Sequence, residues 1–120
     1  MALSSLAIFT LMNDTRSALI VDDERDIREL LVLTLGRMGL RISTAANLAE
    51  ARELLASNPY DLCITDMRLP DGNGIELVTE IAQMYPRTPV AMITAFGSMD
   101  LAVEALKAGA FDFVSKPVDI

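Results

Sequence analysis

Two short apolar runs in this chain stop at acids, and no other feature constrains its fold as strongly. Ala18-Leu19-Ile20-Val21 ends in Asp22-Asp23, and Leu62-Cys63-Ile64-Thr65 ends in Asp66. Runs this short, without polar alternation, fit strands buried on both faces, the habit of parallel sheets. Parallel strands that end alike deliver their carboxylates to one edge. Three carboxylates in one crevice repel each other, and a divalent cation is the usual reason for bringing them together. Two further runs extend the pattern: Val90-Ala91-Met92-Ile93 ends at Thr94, and Phe111-Asp112-Phe113-Val114 ends just before Lys116. Acids, a hydroxyl and an ammonium at successive strand ends make a site suited to placing a phosphoryl group on a carboxylate.

Helical patterns fill the intervals. After the first strand, Ala18 to Val21, helical spacing of Ile27, Leu30, Leu31, Leu35 and Met38 predicts a helix from Arg25 to Met38. Gly39 fits the left-handed position beyond its last turn. Arg41 to Ala45 is the second strand. Asn47 caps a helix to Ser57, with Glu50 in capping-box position, and Asn58-Pro59 stops it. The third strand is Asp61 to Thr65, followed by a tight turn over Leu69 to Asn73. A third helix runs from Ile75 to Met84, before Pro86, and the fourth strand is Val90 to Ile93. Ser98 caps a fourth helix that stops at Gly109, and Phe111 to Val114 is the fifth strand. This helix has two apolar stripes: Met99, Ala102, Val103 and Leu106 read as its core face, and Leu101, Ala105 and Ala108 as a second stripe for a partner. Strand-helix alternation of this kind gives a doubly wound five-stranded parallel sheet with right-handed crossovers. Ligands in such sheets bind at the carboxyl ends of the strands, where every singled-out residue lies.

The 120 residues amount to one domain, 52% apolar and 22% charged, as in ordinary globular proteins. A net charge of −7 argues against a nucleic-acid-binding surface. The single cysteine, Cys63, excludes an internal disulfide, fits a reducing cytoplasm, and reads as a small buried hydrophobe. Residues 1–17 differ from the rest. Leu6 to Met12 is apolar but too short to span a bilayer, and no basic stretch precedes it, so a signal peptide is not indicated. Met12 is a second candidate start. We therefore read residues 1–17 as an N-terminal extension, non-native or disordered.

The acidic pair, the third-strand Asp66, Thr94-Ala95, the fifth-strand aromatic and Lys116-Pro117 occur in an order that resembles the receiver domain of bacterial two-component response regulators. The resemblance covers Ala18 to Ile120. Asp66-Met67-Arg68-Leu69-Pro70-Asp71-Gly72-Asn73-Gly74, with Thr94-Ala95-Phe96-Gly97 and Lys107 to Phe113, is most similar to the nitrogen-regulator class of sigma-54-dependent activators. Type IV pilus regulators of the PilR kind look nearest. The resemblance implies the flavodoxin-like strand order 2-1-3-4-5. It also implies a domain at 18–120 that stops before its fifth helix, which leaves one sheet face uncovered. Residues 1–11, or a neighbouring molecule, are the candidates to occupy that place.

The same resemblance implies the site. Asp66 is the phosphoacceptor for a sensor histidine kinase, and the domain catalyses only its own phosphorylation and dephosphorylation. Mg²⁺ binds to Asp23, Asp66 and the Arg68 carbonyl, and to Asp22 through water. Lys116, the Thr94 hydroxyl and the amides of Met67 and Ala95 receive the phosphoryl oxygens. The Lys116-Pro117 bond is cis, and Arg68 tunes the access of water to the aspartyl phosphate. Thr94 and Phe113 form the switch; Phe113 stands where many relatives carry Tyr, so it acts by packing alone. The fourth helix and fifth strand read the switch out to a second receiver or to output domains, an AAA+ ATPase and a DNA-binding domain. No nucleic acid or membrane contacts this domain itself.

Each residue alone has a plainer reading. Asp22 and Asp23 are good caps for the first helix, Asp66 a turn residue, Thr94 a strand-end hydroxyl and Lys116 a surface charge. One rival function is a pseudo-receiver that binds partners without being phosphorylated; the intact acid set speaks against it. Another is a Mg²⁺-dependent phosphatase with an aspartyl-phosphate intermediate. Such enzymes need a second acid two residues after the nucleophile, where this chain has Arg68, and a cap domain that 120 residues leave no room for. A nucleotide-binding fold is excluded by Asp22-Asp23-Glu24, which stands where a Gly-rich phosphate loop belongs.

Overall fold

The computed structural model of the chain describes residues 16–95 and 99–116. The strands are β1 (Ser17–Val21), β2 (Arg41–Ala45), β3 (Leu62–Asp66), β4 (Arg68–Leu69), β5 (Gly72–Asn73), β6 (Val90–Thr94) and β7 (Asp112–Ser115). The helices are α1 (Arg25–Arg37), α2 (Leu48–Ser57), α3 (Gly74–Met84) and α4 (Met99–Ala108). The main sheet is parallel, in the order β2-β1-β3-β6-β7, which is the expected 2-1-3-4-5 once the small β4-β5 hairpin is set aside. The readings for residues 1–15, for Ser98 as a cap and for Pro117 lie outside the described residues.

Alternation along the strands sorts the two faces. Leu19, Val21, Cys63, Val90 and Met92 join Leu48, Ala51 and Leu55 of α2, Leu77, Val78 and Ile81 of α3, and Ala105 of α4 in one core. The opposite face carries Ala18, Ile20 and Ile93, with Leu31 of α1. Leu62, Ile64 and Ala91 on that face stay half-buried.

The helix boundaries follow from their end residues. Asn47 Oδ1 accepts from the Glu50 amide at 2.8 Å, but Glu50 Oε1 accepts from the Ala46 amide rather than from Asn47, so the capping box is displaced by one residue. The complete capping box is at α3, where Asn73 Oδ1 accepts from Ile75 and Glu76 Oε2 from the Asn73 amide. Gly39 does take a left-handed φ of +89° after α1.

Two helix faces depart from the sequence reading. In α1 only Leu31 is buried; Leu30 is 40% and Met38 70% exposed. Among the described residues no second helix lies beside α1 on its side of the sheet, so the margins of its apolar stripe stay open. In α4 the two stripes are exchanged. Ala105 is fully buried and Leu101 and Ala108 pack against the core, whereas Met99, Val103 and Leu106 are exposed. Just past its last turn the chain runs close to α3, where a Cβ at Gly109 would sit 2.9 Å from Ala82 Cβ. Leu101, Ala105 and Ala108 are therefore not an accessible partner face.

Candidate functional site

The site forms where β1, β3, β6 and β7 end. Asp22 follows β1, Asp66 closes β3, Thr94 closes β6 and Lys116 follows β7. Parallel register sets them side by side: Val21 pairs with Thr65, Asp66 with Ile93 and Thr94 with Ser115. The Lys116 amide also donates to the Thr94 carbonyl at 2.9 Å, which ties the last two strand ends together.

Asp22, Asp23 and Asp66 each present a carboxylate oxygen within 4.8 Å of the others. Asp22 and Asp66 are buried, and Asp23 is exposed. Lys116 reaches into the cluster, with its side chain 6% exposed. Its Nζ lies 2.9 Å from Asp22 Oδ2, 2.9 Å from Glu24 Oε1 and 3.1 Å from Asp66 Oδ2. Burial works against the lysine charge, yet Glu24, Asp22 and Asp66 together hold its ammonium well above the usual lysine range. Burial pushes the Asp22 carboxyl up and Asp66 adds to this, against the opposing pull of the Glu24 amide and Lys116.

One ammonium among four carboxylates leaves an excess of negative charge. Asp22 Oδ2 is buried and accepts no hydrogen bond, its ion pair with Lys116 being its one polar contact. Hard carboxylate oxygens, crowded and incompletely satisfied, fit a divalent cation. Asp22 and Asp23 do not act as the cap of α1: that position is Glu24, without a side-chain cap, while Asp22 Oδ1 takes the Glu24 amide at 2.8 Å. Arg28 Nη1 donates to the Asp22 carbonyl at 2.8 Å, fixing the turn from the helix side.

Around Asp66 the backbone is tightly set. The Met67 amide donates to Asp66 Oδ1 at 2.7 Å. The Gly74 amide donates to the Met67 carbonyl at 2.6 Å, and a Cβ at Gly74 would collide with the Asp66 carbonyl. That close approach requires glycine there. Thr94 is fully buried, Ala95 exposed, and Phe113 half-buried against the core beside α4. Arg68 is exposed and pairs with Asn73 across the small hairpin. Cys63 is buried mid-strand, where burial pushes its thiol up to about 12, so it is not a nucleophile at neutral pH.

Sequence reading missed two participants. In sequence Glu24 is one more acid before α1, and only the reach of Lys116 from the end of β7 across the strand ends shows the two paired. Asp71 reads in sequence as part of a turn, but its carboxylate accepts from the amides of Leu48 and Ala49, far away in the chain. No local signal announces either partner.

The family model described as "Response regulator receiver domain" matches residues 18–120. The chain is 68% identical over 105 residues to the response regulator protein PilR of Pseudomonas aeruginosa, covering 88% of this chain and 24% of that protein. It is 42% identical over 101 residues to the DNA-binding transcriptional regulator NtrC of Escherichia coli, covering 84% of this chain and 22% of that protein. The chain thus spans about a quarter of the length of these curated relatives. Among solved structures, a beryllofluoride-activated NtrC4 receiver domain dimer superposes with a TM-score of 0.82 at 35% identity, over 86% of this chain and 85% of that one. A response regulator from Burkholderia pseudomallei, with a phosphorylated aspartic acid and a calcium ion, gives 0.82 at 26% identity over 87% of this chain and 61% of that one.

Proposed function

The chain belongs to the response regulator receiver domain family, and from that premise we propose that Asp66 is its phosphoacceptor. The observation that carries this reading is the convergence on one carboxylate. Asp66 Oδ1 holds the Met67 amide and Oδ2 the Lys116 ammonium, within reach of Asp22 and Asp23. An Asp66 oxygen attacks the phosphorus of a phosphohistidine on a sensor kinase. The P–N bond breaks, the imidazole leaves and takes up a proton, and an aspartyl phosphate remains. Lys116, already beside Asp66, follows the transferred oxygens, while the Met67 and Ala95 amides and the Thr94 hydroxyl complete their cradle. Asp22, Asp23, Asp66 and the Arg68 carbonyl would hold Mg²⁺, which when bound neutralises the acids and shields the incoming phosphoryl oxygens. Asp22, whose buried Oδ2 has the Lys116 ammonium as its one polar partner, supports this assignment.

The switch runs through Thr94 and Phe113. A phosphoryl group draws the Thr94 hydroxyl toward Asp66, and the half-buried Phe113 turns into the room vacated. Between them in the chain lies α4, whose exposed Met99, Val103 and Leu106 form the surface presented to a partner. That partner is a second receiver, as in the related activated dimer, or an output domain of a longer parent. For the parent we propose a sigma-54-dependent transcription activator in the cytoplasm, with AAA+ and DNA-binding domains. The match to regulators about four times this length, one of them a DNA-binding transcriptional regulator, supports it. Among the described residues no helix is long and apolar enough to cross a membrane.

Intact mass after incubation with a small phosphodonor tests the central step. A gain of one phosphoryl group, dependent on Mg²⁺ and absent in Asp66→Asn, is expected. A well-folded wild type that gains nothing would contradict it and favour a pseudo-receiver.

A further inference from the structure

The loop between Asp66 and α3 is fastened to an element that takes no part in the site. Asp71, at its tip, lays its carboxylate across the N-terminus of α2: Oδ1 accepts from the Leu48 amide at 2.8 Å and Oδ2 from the Ala49 amide at 3.0 Å. The other amides of that first turn are supplied from within the helix. Glu50 donates to Asn47 Oδ1 at 2.8 Å and Ala51 to the Asn47 carbonyl at 3.1 Å. Asn47 thus already serves as the local cap of α2, and Asp71 adds a bond between two distant segments.

The loop needs such a fastening. Its hairpin has two residue pairs, Arg68 with Asn73 and Leu69 with Gly72, too few to hold a conformation alone. Gly72, with φ +156°, lies so close to α2 that a Cβ there would come within 2.6 Å of Leu48 Cδ1. The loop therefore seats on α2 through both a side-chain contact and a charged cap. What it carries is the Met67 amide, which holds Asp66, and the Arg68 carbonyl.

We propose that Asp71 is a positioning residue for the phosphorylation site: by clamping the first two amides of α2, it fixes the loop that presents the Met67 amide and the Arg68 carbonyl to Asp66. The inference rests on the receiver reading above. Groups behind the direct ligands commonly govern metal affinity by about 10–100-fold, because they set ligand orientation.

Two variants of the full chain separate positioning from simple capping. Asp71→Ala and Asn47→Ala both uncap α2, but only the first releases the loop. Mg²⁺ affinity is read by calorimetry, phosphorylation by intact mass with a small phosphodonor, and loop order by amide exchange at Met67 and Arg68, all well below the melting transition. Asp71→Ala is expected to weaken Mg²⁺ binding about 10-fold, slow phosphorylation and speed exchange at both amides. Asn47→Ala should stay within about twofold of wild type on all three. Asp71→Asn keeps one acceptor oxygen and should fall between; it replaces Asp71→Ala if that variant does not fold. Equal effects from the two helix-cap variants, or none from either, would overturn the inference while leaving the receiver reading intact. A wild type that neither binds Mg²⁺ nor gains a phosphoryl group would remove both.

Discussion

Helices α3 and α4 are close in length, 11 and 10 residues, and pack against each other on the same face of the sheet, yet they are held by different means. Helix α3 buries Leu77, Val78 and Ile81 completely, each contributing about 1.5–3 kcal/mol of apolar burial. Its N-terminus is closed by a full capping box, and Gly74 locks it to the Asp66 backbone. Helix α4 buries only Ala105 fully, with Leu101 and Ala108 partly inserted. Its bulky apolar residues face outward. A helix seated on small side chains loses little when it shifts, and one seated on three large ones loses a great deal. The contrast assigns α3 to the framework that fixes Asp66, and α4 to the part that can answer it.

The largest expected effect lies in the framework. Ile81→Ala should cost about 2–5 kcal/mol in denaturant unfolding. Leu106→Ala on α4 should stay within about 0.5 kcal/mol, as for an outward residue. Similar costs at the two sites would erase the distinction between the helices. Charge sharpens it next. Ala105→Glu places an unpaired carboxylate in the core and should unfold the domain or markedly lower its melting temperature. Met99→Glu with Val103→Glu should leave stability nearly unchanged and abolish phosphorylation-linked association, followed by light scattering. If the outer pair disturbs folding instead, the stripes are oriented as the sequence alone implied.

A smaller effect belongs to the loop beside α3. The Leu48 amide first, and the Ala49 amide with it, hold the exposed Asp71 carboxyl below the usual carboxylate range. A carboxyl depressed in the folded state contributes stability above its unfolded pKa, about 4, and loses it as pH falls through the lower folded value. Asp71→Asn should therefore lower stability above about pH 4, with the gap to wild type closing as pH falls below that value. Acid melts of the two proteins check this. A parallel loss of stability in both would show that Asp71 does not contribute.

What the sequence made legible depended on where information resides. Strand ends were readable because one residue type at the end of an apolar run carries both the boundary and the chemistry: Asp22, Asp66, Thr94 and Lys116 all fall where the runs stop. The parallel sheet followed from strand-helix alternation and the crossover rule, while its strand order came from the resemblance to receiver domains. The faces of α4 were not readable. Residues 101, 105 and 108 and residues 99, 103 and 106 have the same helical spacing, and hydrophobicity favours the bulkier set. Only tertiary packing against the core turns Leu101, Ala105 and Ala108 inward. The exposure of Leu30 and Met38 on α1 likewise depends on what lies beside that helix. Glu24 and Asp71 acquire their partners through tertiary closure, so local sequence carried no sign of them.

Residue-resolved hydrogen exchange, before and after phosphoryl loading of Asp66 in the presence of Mg²⁺, tests the division of labour between the two helices most directly. The account predicts altered protection along α4, at residues 99–108, with the amides of Leu77, Val78 and Ile81 unchanged. Equal change in both helices, or change confined to α3, would contradict it.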